Sequence, residues 1–174
     1  MLLKNSILNN LKHLKKNTFD PSDLRRISEV EELIKLNRNL LRKDNSKIHL
    51  SASAVVFIGK KMILVQHPYL KKKLLPAGHV EALEDPLSTA IRELREETGY
   101  VGESISTFSL VDVNLISIPL NLKTNEKEHI HIDYRYQLKL GSEIKSLAAL
   151  PTYLLDKEAT PTEFKKYFVF NRIL

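Results

Sequence analysis

The spacing of apolar residues changes character along the chain, and each change marks a different element. Between residues 2 and 16, Leu3, Ile7, Leu11 and Leu14 recur at helical intervals. Asp20-Pro21 then reads as a helix start, Asp as N-cap and Pro at the first helical position. Leu24, Ile27, Val30, Ile34 and Leu41 carry an apolar stripe onward to about residue 42. The pattern predicts a helical hairpin over residues 1–46, closed by Lys43-Asp44-Asn45-Ser46. Such a hairpin can lie over the following domain or pair with a second copy as a homodimer. From residue 47 the period shortens: 48–58 and 62–67 read as strands joined across Gly59-Lys60-Lys61. A helical stretch follows Asp85. Strands are predicted at 107–118 and 129–140, around a polar turn through Thr124-Asn125-Glu126-Lys127. Pro161 to about Tyr167 reads as a short closing helix capped by Thr160. Strands, a helix, more strands and a last helix predict an α/β domain over 47–174, a mixed sheet with helices on both faces.

The helix after Asp85 carries the most specific chemistry. Asp85-Pro86 repeats the cap-plus-proline start, and Leu87, Ala90, Ile91, Leu94 and Thr98 form one apolar face. Glu93, Glu96 and Glu97 stand at i, i+3 and i+4, so three carboxylates share another face. Like charges at that spacing cost roughly 0.2–0.5 kcal/mol per pair. Arg92 relieves part of the repulsion through Glu96 at i+4; a bound dication would offset far more. Carboxylate-rich oxygen ligation suits Mg²⁺ or Mn²⁺. Gly78 opens the loop into this helix, where a glycine permits positive φ or a close backbone approach. Gly99 stands where a helix stop belongs.

Gly78, Glu84, Arg92, Glu93, Glu96, Glu97 and Gly99 together keep a fixed register: Gly, five residues, Glu, seven residues, then Arg-Glu-Leu-Arg-Glu-Glu-Thr-Gly. At background frequencies of roughly 5–7% per residue type, a chance match in such a chain is on the order of one in a million. The segment resembles the Nudix box. The resemblance implies a Nudix-type α/β/α sandwich over residues 47–174, with Glu93, Glu96, Glu97 and the Ala77 carbonyl as metal ligands. It implies Glu93 and Glu97 as catalytic carboxylates, Glu93 first as general base. Gly78, Glu84, Arg92 and Gly99 take structural roles, with Glu84 and Arg92 tying the loop to the helix.

A second segment, His129-Ile-His-Ile-Asp-Tyr-Arg-Tyr136, alternates so that His129, His131, Asp133 and Arg135 share one face of a strand. This H-x-H-x-D-x-R-Y run resembles a subgroup of bacterial Nudix hydrolases, many without an assigned substrate. Its polar face is expected to line the substrate cleft, with Arg135 near a phosphate. The competing readings are the wet side of an amphipathic strand and a His/His/Asp transition-metal site. Lys71-Lys72-Lys73 and the turn residues Glu126 and Glu128 are weaker candidates, for phosphate contact and for a base beyond the box. His67, at a strand end, is expected to do no chemistry.

Composition bounds these readings. The chain has 174 residues, 43% hydrophobic and 28% charged, with no cysteine, which excludes disulfides and thiolate catalysis. With no apolar run near 18 residues and no signal-peptide pattern, neither membrane association nor export is expected, and a cytoplasmic location is. The net charge of +6 is uneven: residues 1–50 hold eleven Lys/Arg against six Asp/Glu, residues 51–174 sixteen against fifteen. The reading is therefore a Mg²⁺-dependent (or Mn²⁺-dependent) hydrolase of a nucleoside diphosphate linked to another moiety X, a small-molecule substrate. The basic hairpin keeps an RNA 5′ pyrophosphohydrolase in view. A non-catalytic, nucleotide-sensing Nudix domain is the alternative from another class, against which the full carboxylate set argues.

Overall fold

The structure is a computed structural model that describes residues 2–42, 47–106, 108–120, 127–141 and 147–172. The expected closing turn Lys43–Ser46 lies outside the described residues, as do Thr124, Asn125 and Glu126 of the second turn. The elements are α1 (Leu2–Lys16), α2 (Pro21–Leu36), β1 (Ile48–Ile58), β2 (Lys61–Gln66), β3 (Lys73–Leu74) and β4 (Ala77–His79). They continue with α3 (Pro86–Thr98), β5 (Gly102–Ser104), β6 (Leu110–Ile118), β7 (His129–Leu140), β8 (Thr152–Leu155) and a 3₁₀ helix (Thr162–Arg172). Among the described residues the strands pair in the order β3-β2-β1-β7-β5, with β4 also pairing β1, β6 pairing β7 and β8 pairing β2. This is the α/β arrangement the sequence predicts, two helices preceding a sheet with helices.

The chain forms two compact units, one from residues 1–52, 79–89 and 110–135, the other from 53–78, 90–109 and 136–174. In the first, α1 and α2 pack against each other and both pack on β6. Their apolar stripes meet through Ile7, Leu11, Ile27, Val30 and Ile34, all buried. The Asp20 carboxylate accepts from the Ser22 and Asp23 amides, the N-cap expected of Asp-Pro. Arg26 fastens α2 to β6, its Nε donating to the Val113 carbonyl at 2.7 Å and its guanidinium to Asp112 at 2.8 Å. The stripe does not keep its helix to residue 42. The helix stops at Leu36, where Asn37 turns extended at ψ 127° and its side chain donates to the Leu33 carbonyl.

In the second unit β2 is enclosed on both sides, by β1 and β3 and by β8 in register from Met62↔Leu155 to Val65↔Thr152. Its Met62-Ile-Leu-Val65 run is wholly buried, as a strand between neighbours requires. The short strands β3, β4, β5 and β8 are absent from the sequence-based expectation; at two to four residues each they are too short to show a period. The closing helix also differs from expectation, being 3₁₀ and running from Thr162 to Arg172. Thr160 does not cap it as an acceptor: its hydroxyl donates back to the Asp156 carbonyl at 2.7 Å, which closes the preceding turn.

Candidate active site

The acidic turn of α3 is positioned from both ends. At the start, the Asp85 carboxylate accepts from the Leu87 amide at 3.0 Å and the Ser88 amide at 3.2 Å. Glu84 accepts from the Thr89 hydroxyl at 2.7 Å and from the Glu81 amide at 3.3 Å, which folds the incoming loop onto the first helical turn. At the other end, Gly99 adopts φ +75° and its amide donates to the Arg95 carbonyl at 2.8 Å, the left-handed C′ stop that a side chain disfavours. The last helical carbonyls have partners as well: the Ala149 amide donates to Glu96 and the Leu150 amide to Glu97, each at 3.0 Å. Ala90, Leu94 and Thr98 anchor the buried face, and the carboxylates share a different one.

On that face the charges are unevenly compensated. Arg92 donates to Glu93 at 2.5 Å and to Glu96 at 3.3 Å. Glu93 is mostly enclosed, at 14% side-chain exposure, while Glu96 is open at 58%. Glu97 takes a different partner, accepting the Ala77 amide at 3.0 Å, so the Ala77 peptide sits directly on the acidic turn. Burial, followed by the like charges of Glu93 and Glu96, pushes the Glu97 carboxyl up to about 7, against the lowering effect of the Ala77 amide. Gly78 serves by close approach rather than by positive φ: a Cβ there would lie 1.9 Å from Glu93 Oε1 and 2.1 Å from its Cδ. A glycine at this position is the condition for Glu93 to lie where it does.

Strand β7 has the alternation the sequence predicts, but its polar face is not wet. His129, Asp133 and Arg135 are buried and His131 is half-buried. Arg135 Nε donates to Asp133 at 2.9 Å, and the same carboxylate accepts the Ser51 hydroxyl at 3.1 Å. His129 and His131 join two histidines that the sequence pattern does not single out, His49 of β1 and His79 of β4. One nitrogen from each of the four rings falls within 4.8 Å of the others. The ring centroids of His49 and His129 are 4.4 Å apart, those of His79 and His131 4.5 Å. Burial, followed by the neighbouring imidazoles, takes the His131 ring down to about 3, so it is neutral at ordinary pH. Two single histidines, 30 residues apart and far from the H-x-H pair, give no spacing signal; only strand pairing collects them.

The weaker candidates separate. Lys73 lies over the Tyr153 ring, Nζ 4.6 Å from its centroid. Lys71 lines an open groove of about 500 Å³ with Gln66, His67, Pro68, Leu150 and Pro151. His67 holds the turn that follows it, its Nδ1 accepting from the Leu70 amide at 3.1 Å. Glu128 is exposed, and Glu126 lies outside the described residues.

Comparison with known proteins places this geometry. The NUDIX domain family matches residues 47–147. A protein of Lactococcus lactis subsp. cremoris (strain MG1363), described as "Probable DHNTP pyrophosphohydrolase", is 50% identical over 150 residues, 82% of this chain and 89% of that protein. A NUDIX hydrolase structure from Nitrosomonas europaea superposes with a TM-score of 0.50 at 17% identity, covering 71% of this chain and 87% of that one, a likeness of fold alone. A UDP-X diphosphatase structure aligns over 97% of this chain and 93% of its own, with a TM-score of 0.49 and 15% identity. With more than half of its length in the domain match and half of its aligned residues shared with a named pyrophosphohydrolase, the chain belongs to the Nudix family of hydrolases.

Proposed function

We propose that the chain is a Mg²⁺- or Mn²⁺-dependent pyrophosphohydrolase whose reaction takes place at Glu93, Glu96 and Glu97. The observation that carries this reading is the crowding of three carboxylates beside Gly78, with Glu97 pushed up to about 7 by burial and like charge. Such a turn favours a bound dication, and its donors are hard oxygens, so the residues present fit the metal that the family uses. Glu93, Glu96, Glu97 and the Ala77 carbonyl would hold it, where it would neutralise phosphate oxygens and make a water nucleophilic. Glu93, fixed against Gly78, accepts the proton of the attacking water. Glu97, anchored by the Ala77 amide, keeps the loop and the helix in register for in-line attack. Arg92 holds Glu93 and Glu96 in place and limits their mutual repulsion.

DHNTP is the favoured substrate, since the relative bearing that activity in its name is 50% identical over most of this chain. A nucleoside diphosphate linked to a second moiety is the other small-molecule candidate. The 5′ end of RNA is less favoured, because basic residues of the helical hairpin have acidic partners: Arg26 is held by Asp112, and Lys35 by Glu31 and Glu32. The test is turnover of DHNTP, ADP-ribose and UDP-sugars with Mg²⁺, with Mn²⁺ and with a chelator, the products resolved by ³¹P NMR. Fast, metal-dependent cleavage of DHNTP at a phosphoanhydride is expected. No cleavage of any of them with either metal would sink the proposal.

A further inference from the structure

We propose that His49, His79, His129 and His131 form a second metal site, distinct in donor chemistry from the acidic turn and selective for one transition-metal ion of the Zn²⁺ class. The four rings come from three strands, β1, β4 and β7, and one nitrogen of each lies within 4.8 Å of all the others. Their convergence follows from the sheet. His129 and His131 are two apart on β7 and so share a face. His49 and His79 are brought together because β4 pairs with β1, the Val80 amide donating to the Leu50 carbonyl at 3.0 Å.

The His129 ring is also oriented for this. His129 Nδ1 lies 2.7 Å from the Lys127 carbonyl, which can only accept, so Nδ1 donates to it and Nε2 is the nitrogen left to face an ion. Anchoring one ring nitrogen on a backbone carbonyl is how a metal-binding histidine is commonly oriented. His129 Nε2 lies 2.8 Å from His131 Nε2. A tetrahedral zinc site with bonds of about 2.0 Å has nitrogens roughly 3.3 Å apart, so the pair needs only to open slightly around an ion. The strand's Asp133, a ligand in the His/His/Asp reading of the sequence, is instead occupied by Ser51 and Arg135.

Four imidazole nitrogens suit Zn²⁺, Co²⁺ or Ni²⁺ and are poor partners for Mg²⁺, which prefers oxygen. Four protein ligands close a tetrahedral shell and leave no place for a reacting water, so the ion would be a structural clasp across β1, β4 and β7. Part exposure of His79 and His131 gives it a way in.

The test uses full-length protein without a histidine tag, stripped with a chelator and titrated with Co²⁺ and Zn²⁺. One equivalent of Co²⁺ is expected to bind with the intense visible bands of tetrahedral nitrogen ligation, to be displaced by Zn²⁺, and to resist excess Mg²⁺. Removing a group that merely hydrogen-bonds to a ligand already costs roughly 10–100-fold in affinity, so His49→Gln and His131→Gln should each cost about 100-fold or more. Glu97→Gln should leave the cobalt spectrum unchanged. Circular dichroism identifies any variant that fails to fold, and the titration of wild-type protein decides the matter without variants. Absence of a one-equivalent site in wild type, affinity retained in folded histidine variants, or loss of the bands in Glu97→Gln would each overturn the proposal. None of these readouts depends on turnover, so a failed hydrolase assay leaves the result standing, and the reverse.

Discussion

The acidic turn of α3 and the polar face of β7 are both rich in ionisable groups, yet they handle charge in opposite ways. On the turn, three carboxylates crowd together, Arg92 reaches two of them, and Glu97 is driven toward its protonated form by burial and by its neighbours. On the strand, Asp133 and Arg135 are buried with each other, and Ser51 adds a further bond. The first arrangement leaves like charges side by side, a repulsion that a bound cation would offset. The second is complete within the protein. Ionisable residues that stay in tension mark where a ligand acts; those that satisfy one another mark how the scaffold is held. On this view the Asp133–Arg135 pair belongs to the scaffold.

The largest expected effect breaks the comparison at the turn. Glu97→Gln should lower kcat by about 10³-fold or more, since electrostatic stabilisation by a metal supplies several kcal/mol of the barrier reduction. It should leave the metal-free protein at least as stable as wild type, because one like charge has gone. Steady-state kinetics and thermal unfolding in chelator check the two halves; wild-type-like turnover would remove Glu97 from the site. Arg135→Ala tests the strand. Breaking a buried pair by removing one partner costs about 3–5 kcal/mol, so urea unfolding should show a loss of that size. A raised KM with unchanged stability would instead place Arg135 against the substrate, as the alternation alone suggests.

The same contrast explains how much the sequence disclosed. The turn's residues lie within 22 positions on a loop and one helix, so their offsets are preserved in the chain and a spacing argument finds them. Strands long enough to show alternation were equally legible: 48–58 and 129–140 are β1 and β7 to the residue. The histidine cluster was half legible. His129 and His131 stand out as a pair, but His49 lies on a strand that is buried almost throughout, and His79 in one of only three residues. What collects them is pairing between distant segments, which one sequence does not display. Burial of the β7 polar face was missed for the same reason: alternation tells which residues share a face, not what covers it. The early end of α2 is a local matter, decided by Asn37, whose side chain competes for a helix carbonyl.

A pH experiment sharpens the contrast at intermediate size. The Glu97 carboxyl titrates at about 7 in the fold against an ordinary value near 4.5. A raised folded value means that the protonated fold is favoured: the contribution is fully present below pH 4.5 and is lost as pH rises through 7. The amount is at most about 3 kcal/mol, because a tenfold change in proton affinity between the folded and unfolded chain is worth about 1.4 kcal/mol. In chelator, wild type should therefore lose stability relative to Glu97→Gln between about pH 5 and pH 8, by denaturant unfolding of both. Saturating Mg²⁺ should shrink that difference, and metal binding near pH 6 should release a proton measurable by calorimetry in buffers of different ionisation enthalpy. A pH-independent difference between the two proteins would mean that Glu97 is not under this tension.

Gly78→Ala gives the smallest effect and the most specific one. The added methyl would sit 1.9 Å from Glu93 Oε1, too close to coexist with it, but the obstacle is the far end of a flexible side chain. The carboxylate can swing away, so the fold should survive with a small change in unfolding temperature. Displacement of a catalytic group by about 1 Å can cost on the order of 100-fold in rate, and kcat should fall by that amount. Because the glycine acts only through Glu93, its effect should vanish once that carboxylate is gone. Gly78→Ala added to Glu93→Gln should lower kcat no further, a non-additivity of about 100-fold in the double-mutant cycle. Full additivity would show that Gly78 serves the site by some route other than the room it leaves for Glu93.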